Sequence, residues 1–305
     1  MYNHRTNFSF YQMNNRNETT SRHCLFLSGD CFSRLYAAFI EAFSDYVFPF
    51  ALTETQFRNH IILNAVDLER TVGCIDDGKL VGFSLNGFGE WEGKSTVYDA
   101  GTGVIPPFRR QGISDAMFEM MLPVFAEKGV EQFLLEVVTS NHGAIRLYEK
   151  LGFHPARELA LLQCDGPIKV SDNLQQAAEI REIIVPDWDL LTTFWDGKPS
   201  WQNSVAALKR SIAMKRILGA FIDDSCVGYI VFSANFGRVA QIAVDKGHRN
   251  RGIGTMLIQK LQAETADGYS IQVINIDKSL DTAMKFFSNR GFYERLGQYE
   301  MIKPL

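Results

Sequence analysis

Apolar positions along the chain follow two rhythms, short alternating runs and longer stripes at helical spacing, and the order of these runs comes round twice. Cys24 to Leu27 reads as a strand, and Cys31 to Phe43 and Thr53 to Leu63 as helices. Leu68 to Ile75 and Leu80 to Leu85 alternate as two strands joined by Asp76-Asp77-Gly78, a residue set suited to a tight hairpin. A further hairpin around Gly87 to Gly93 leads into a β-prone segment from Thr96 to Val104. Ile113, Met117, Met120, Met121 and Val124 then share one face of a helix, so the methionines of the amphipathic run Asp115 to Lys128 read as core. Phe133 to Val138 as a strand, Asn141 to Leu151 as a helix and Leu159 to Cys164 as a strand complete the first series.

The second series has the same order. It comprises a strand at Glu179 to Val185, helices at Trp188 to Phe194 and from Pro199-Ser200 to Met214, and strands at Ile217 to Ile222, Val227 to Phe232 and Val239 to Val244. Asp223-Asp224 stands where Asp76-Asp77 stood. A helix with the stripe Ile253, Leu257, Ile258 and Leu261 follows, then Ile271 to Ile276, Asp281 to Arg290 and a terminal strand at Tyr299 to Ile302. The pattern predicts an α/β protein of two tandem units, each a mixed, mostly antiparallel sheet flanked by helices. Residues 1–22 read as a polar tail, 23–170 as the first domain and 171–305 as the second, with Asp165-Gly-Pro167 and Ser171 to Gln176 as linker.

At 305 residues the chain is long enough for two cores, and the duplication uses that length. A net charge of −4 with both signs mixed leaves no basic footprint for nucleic acid. The 5 cysteines are widely spaced and form no Cys-x-x-Cys or zinc spacing, which points to free thiols in a reducing cytoplasm and to no metal site. No apolar run has the length of a membrane span, and no hydrophobic signal block opens the chain, so the expectation is a soluble cytoplasmic protein.

Each unit carries one basic glycine turn between a strand and a helix. In the first it is Val104-Ile-Pro-Pro-Phe-Arg109-Arg110-Gln111-Gly112-Ile113-Ser114; in the second it is Val244-Asp-Lys-Gly-His-Arg249-Asn-Arg251-Gly252-Ile253-Gly254. Free N–H groups at a helix start, glycine clearance and neighbouring guanidiniums converge on one place, the chemistry of a phosphate cradle. A solvated basic turn is the plainer reading of either copy, and their recurrence in matching context favours the cradle. Neither copy is a dinucleotide fingerprint, since no third glycine follows at Leu257, and neither has the Gly-Lys-Ser/Thr of a phosphate loop.

Downstream of the first turn stands Asn141-His-Gly-Ala144-Ile-Arg-Leu147-Tyr148-Glu-Lys-Leu-Gly152-Phe153. An Arg-x-x-Gly-x-Gly/Ala turn followed by this segment resembles the GCN5-related N-acetyltransferase (GNAT) family, here as a tandem of two GNAT-like units. Ser114 departs from the family's final Gly or Ala. The resemblance implies acetyl transfer from acetyl-CoA to an amine of a small molecule, peptide or protein. It implies that Thr102, Gly103 and Val104 lie along pantetheine, that Arg109, Arg110, Gln111, Gly112, Ile113 and Ser114 hold the pyrophosphate, and that Asn141 contacts the pantetheine arm. Tyr148 would protonate the departing thiolate, a task a phenol neutral at pH 7 can perform. The spacing of Glu136 before Asn141 resembles ribosomal-protein N-terminal acetyltransferases and implies a base for the amine; His142 is a weaker candidate.

Laid over the first copy, the second sets Asn275 at Glu136, Leu280 at Asn141 and Phe287 at Tyr148. It retains Val244, Arg249, Arg251, Gly252 and Gly254 for a cofactor and lacks the proton chemistry. A non-catalytic acyl-CoA-binding sensor or scaffold is the alternative function.

Overall fold

The computed structural model describes residues 11–12, 22–45, 52–169, 178–233, 236–266 and 269–305. Most of the 1–22 tail, the segment Tyr46-Val-Phe-Pro-Phe50 and the linker Ser171 to Gln176 lie outside the described residues. The first half runs β1 (Tyr11–Gln12), β2 (His23–Phe26), α1 (Phe32–Ala42), α2 (Glu54–Leu63), β3 (Val72–Asp76), β4 (Lys79–Trp91), β5 (Lys94–Val104), α3 (Ile113–Glu127), β6 (Gln132–Val138), α4 (His142–Lys150) and β7 (His154–Cys164). The second runs β8 (Glu179–Glu182), α5 (Trp188–Thr192), α6 (Val205–Arg210), β9 (Arg216–Ile222), β10 (Ser225–Ser233), β11 (Arg238–Val244), α7 (Ile253–Glu264), β12 (Ile271–Asp277), α8 (Asp281–Ser288) and β13 (Tyr293–Pro304).

Two compact units result, and they do not follow the sequence boundary near residue 170. The first takes the chain up to Leu135, Arg146–His154 and Ile302–Leu305; the second takes Glu136–Ile145 and Pro155–Met301. The reason lies in the side chains of β7: Ala160, Leu162 and Cys164 alternate into a core with Leu218, Val227, Phe232, Ile258 and Phe287 of the second unit. β7 accordingly pairs antiparallel with β12, with Ile271 opposite Cys164 and Val273 opposite Leu162. In the first unit the last residue of the chain is tied in, Leu305 N–H donating to the Glu131 carbonyl at 3.0 Å.

Within the first unit the strands lie in the order β1-β2-β3-β4-β5-β6. Neighbours are antiparallel except β5 and β6, whose parallel pairing covers Thr96↔Gln132 to Asp99↔Leu135 and stops there, although β5 continues to Val104. The second unit repeats this device: β11 and β12 pair in parallel only at Arg238↔Gln272 and Val239↔Val273. One layer of the first core is aromatic, with Phe118 5.9 Å from Tyr148 and Phe133 5.6 Å from Phe153, ring centroid to ring centroid. Truncating one such buried ring costs about 3–5 kcal/mol.

Local chemistry accounts for most departures from the sequence reading. Leu68–Arg70 is a helical turn capped by the Asp67 side chain rather than the start of a strand. The helix expected up to Met214 is broken into α6 and two single turns, because Ser204 caps α6 and Ser211 ends it. The terminal strand is much longer than Tyr299 to Ile302, since its exposed start Tyr293–Arg295 gives no alternating signal.

Candidate active site

Both basic turns are built the same way. Gly112 and Gly252 are the N-caps of α3 and α7, at φ 74° and 91°, a left-handed conformation that costs an L-residue about 1–2 kcal/mol. Arg110 and Asn250 adopt it as well, φ 59° and 61°. In each copy a single helical turn, Pro106–Phe108 or Lys246–His248, stands between the strand and this reversal. The first intrahelical bonds run from Ala116 N–H to the Gly112 carbonyl and from Met256 N–H to the Gly252 carbonyl, each 3.0 Å. The N–H groups of Ile113, Ser114 and Asp115, and of Ile253, Gly254 and Thr255, therefore have no helical partner and present the positive end of the helix dipole. Gly112→Ala and Gly252→Ala should each lower the unfolding free energy by about 1–2 kcal/mol in a denaturant titration.

The arginines divide into two kinds. Arg109 Nε donates to the Val104 carbonyl (3.1 Å), Nη2 to the Ala42 carbonyl (2.8 Å), and Nη1 and Nη2 grip the Asp45 carboxylate (both 2.7 Å). Arg249 makes the same set with the Val244 carbonyl (3.0 Å), the Phe194 carbonyl (3.0 Å) and Asp196 (2.8 and 3.0 Å). These two guanidiniums hold the turn to the chain that follows α1 or α5, and their donors are occupied by protein. Arg110 is exposed and makes no side-chain hydrogen bond among the described residues, whereas Gln111 donates to the Pro107 carbonyl at 3.1 Å. Arg251 is exposed too. In the second unit Arg290 adds a charge that sequence spacing does not reveal: its guanidinium stacks 3.7 Å over Phe286 and donates to Thr255 Oγ1 in the first turn of α7 (3.0 and 2.6 Å).

Thr102, Gly103 and Val104 lie on the stretch of β5 beyond its pairing with β6. Just before them the β4–β5 ladder steps from Leu85↔Gly101 to Asn86↔Asp99, leaving Ala100 as an extra residue in a β-bulge. Asp99, which sequence reading passed over, holds that bulge: its carboxylate accepts Gly101 N–H (2.9 Å), Thr102 Oγ1 (2.8 Å) and Tyr148 Oη (3.3 Å). His60 Nε2 donates to the Ala100 carbonyl at 2.7 Å, so its proton sits on Nε2, and Nδ1 accepts from Asn64 at 3.2 Å. Tyr148 comes from α4, where Ala144, Leu147 and Tyr148 share a face, and it is only 8% exposed.

Burial pushes the Asp99 carboxyl up to about 6 against the three hydrogen bonds that favour its ionised form. Because the folded value exceeds the unfolded one, the native state binds more protons between about pH 4 and 6, and stability falls as pH rises through that window. A buried carboxyl touching a tyrosine hydroxyl is a feature of proton-transfer sites.

Glu136 and Asn141 belong to the second unit. Glu136 Oε2 accepts from Asn275 Nδ2 (2.5 Å) and Gln202 Nε2 (3.2 Å), so the two positions that the repeat lays over each other are bonded to one another. Asn275 sits at φ 56° in a disrupted register of β12, and this bond holds it there. Asn141 Oδ1 accepts Ala144 N–H at 3.1 Å and so caps α4. His142 is exposed at the start of that helix. Phe287 is buried against Phe292, with ring centroids 5.1 Å apart, and has no hydroxyl to offer. A separate concavity of about 630 Å³, lined by Arg70, Phe88, Ser95 and Lys128, includes none of the candidate site residues. Among the described residues no cluster of metal-ligating side chains occurs, and no helix is long and apolar enough to cross a membrane.

The sequence profile of the acetyltransferase (GNAT) family matches residues 32–153 and again 178–297. The chain belongs to the GNAT acetyltransferase family. Its two matched stretches confirm the duplication, and the α/β fold of two GNAT units agrees with solved structures. A putative acetyltransferase from Pyrococcus horikoshii superposes with a TM-score of 0.67 at 15% identity, over 97% of this chain and 94% of the other. A tandem GNAT protein from the clavulanic acid biosynthesis pathway gives 0.67 at 14% identity, over 93% and 98%. Among curated relatives, N-alpha-acetyltransferase MAK3 of Arabidopsis thaliana is 35% identical over 27% of this chain and 43% of its own length. The [ribosomal protein bS18]-alanine N-acetyltransferase of Escherichia coli K12 is 34% identical over 26% of this chain and 51% of its own. The match thus spans about half the length of these relatives or less.

Proposed function

We propose that the chain transfers an acetyl group from acetyl-CoA to a primary amine, with chemistry in the first unit. The observation that carries this reading is Tyr148, a buried hydroxyl held beside a β-bulge at the point where β5 parts from β6, next to a helix N-terminus fitted for an anion. The orphan N–H groups of Ile113 to Asp115 and the Arg110 guanidinium would hold the pyrophosphate, and Thr102 to Val104 would run along pantetheine. Backbone N–H near Val104 would polarise the thioester carbonyl as negative charge develops on its oxygen. Tyr148 would hand its proton to the sulfur as the C–S bond breaks. The sequence also offers Glu136 for the amine and Asn141 for pantetheine.

Relatives whose names specify α-amino acetylation support a peptide N-terminus as acceptor, with a small-molecule amine as the other member of the class. The second unit favours binding without turnover, because Phe287 stands where Tyr148 does; Val244, Arg251, Gly252 and Gly254 would then hold acyl-CoA alone. A cytoplasmic location accompanies this reading. Release of CoA thiol from acetyl-CoA, measured against a panel of peptide N-termini and small amines, tests it. Turnover confined to free-amine acceptors supports the assignment, and absence of turnover with every amine removes it.

A further inference from the structure

We propose that Asp99 and Tyr148 form a single proton-relay pair, in which the Tyr148 hydroxyl passes to Asp99 the proton shed by the attacking amine and then returns it to the departing sulfur. The inference rests on the acetyl-transfer reading above and gives one buried residue, absent from the sequence motifs, a role in it.

The hydrogen-bond geometry supplies the argument. Tyr148 Oη donates to Asp99 Oδ2 at 3.3 Å, so the phenol's own proton already points at the carboxylate. A phenol so placed is a better proton acceptor than an isolated one, because its proton moves to Asp99 as a new one arrives. When the nitrogen bonds to the carbonyl carbon, its surplus proton goes to Tyr148 Oη while the phenolic proton goes to Asp99. When the C–S bond breaks, Tyr148 gives a proton to the thiolate and recovers one from Asp99. Nitrogen loses one proton, sulfur gains one, and both residues return to their starting state.

Asp99 is buried and accepts its bond from Tyr148 Oη, so it is a positioning and relay residue that acts through Tyr148. The groups facing it are few. Thr102 and the Gly101 N–H come from its own strand, Tyr148 from α4, apolar Leu135 stands in register on β6, and neutral Asn86 lies opposite on β4. His60 of α2 faces the adjacent Ala100 carbonyl, and burial lowers its pKa and keeps it neutral. Among the described residues no cation pairs with the Asp99 carboxylate, which is why burial can raise its pKa to about 6. Glu136, by contrast, is occupied with Asn275 and Gln202.

Two measurements on the full chain test the pair. The first needs no turnover: with tyrosine labelled at the ring carbon bearing oxygen, the NMR signal lost in Tyr148→Phe should shift with a midpoint near pH 6. That shift should vanish in Asp99→Asn. A Tyr148 signal indifferent to pH between 5 and 8 overturns the proposal whether or not the protein acetylates the amines offered. The second is the pH profile of kcat/KM for thiol release: the wild type should lose activity below about pH 6. Asp99→Asn should lose that limb with kcat reduced roughly 10²-fold at unchanged acetyl-CoA affinity, and Asp99→Glu should restore part of it. Thr102→Val, which removes one donor to the carboxylate, should move the limb to higher pH and stands in if Asp99→Asn fails to fold. If Glu136→Gln loses activity to that extent while Asp99→Asn keeps the wild-type profile, Glu136 is the base and the relay is wrong.

Discussion

Tyr148→Phe is expected to cut kcat by about 10²–10⁴-fold, the range for loss of a positioned proton-transfer group, while acetyl-CoA binds as before. The substitution keeps the ring that packs edge-on against Phe118 and Phe153, and deletes one hydroxyl whose visible acceptor is Asp99. Asp99 retains Gly101 N–H and Thr102, so stability should change by no more than about 1 kcal/mol. Steady-state thiol release together with calorimetric titration of acetyl-CoA reads both quantities. The reverse change in the other unit, Phe287→Tyr, should add no activity. That ring is 1% exposed among apolar neighbours, and an unpartnered hydroxyl there costs about 1–3 kcal/mol. Substantial turnover in Tyr148→Phe would place the chemistry elsewhere.

The two arginines of the first turn should fail in different ways. Arg110→Ala should weaken acetyl-CoA roughly tenfold, the worth of one charge-assisted hydrogen bond, and flatten the dependence of affinity on salt, without shifting the melting temperature. Arg109→Ala should lower the melting temperature and loosen binding together. It removes the donors to the Val104 and Ala42 carbonyls and the clasp on Asp45. Asp45→Asn separates the cases: if Arg109 is a staple, this change reproduces part of the Arg109→Ala phenotype although Asp45 is an acid with no business at a phosphate. If Arg109 is a phosphate ligand, Asp45→Asn should instead free it and tighten binding.

The strand, turn and helix order of both units is legible because each depends on neighbours in sequence: alternation for β10 and β11, the stripe through Ile253 and Leu257 for α7, and a glycine at each helix start. Arg109 shows where local reading ends. Sequence marks it as a basic residue in a glycine turn, and only folding brings up Asp45 and the Ala42 carbonyl to occupy it. Asp99 was hidden for a related reason. Its burial depends on β4, α4 and the bulge meeting around it, and a single Asp within the β-prone segment Thr96 to Val104 carries no sign of that in the sequence. Glu136 was visible as an acid amid Phe133, Leu134, Leu135, Val137 and Val138, but its partners, Gln202 and Asn275, come from far along the chain. Patterns within a strand report which face is covered, and carry no record of the covering residue.

The placement of Ile302–Leu305 in the first unit gives the order of synthesis a consequence. During translation the first unit emerges with its glycine turn and Tyr148 in place long before the residues that complete it exist. At about 5–20 residues per second, the ribosome adds those last residues on the order of ten seconds or more after α4. Over that interval the apolar face of β7 also waits for the core it will join. The nascent chain must therefore pass through a stage in which the first unit is made but unfinished, open to chaperones and proteases, until Ile302 to Leu305 have been added.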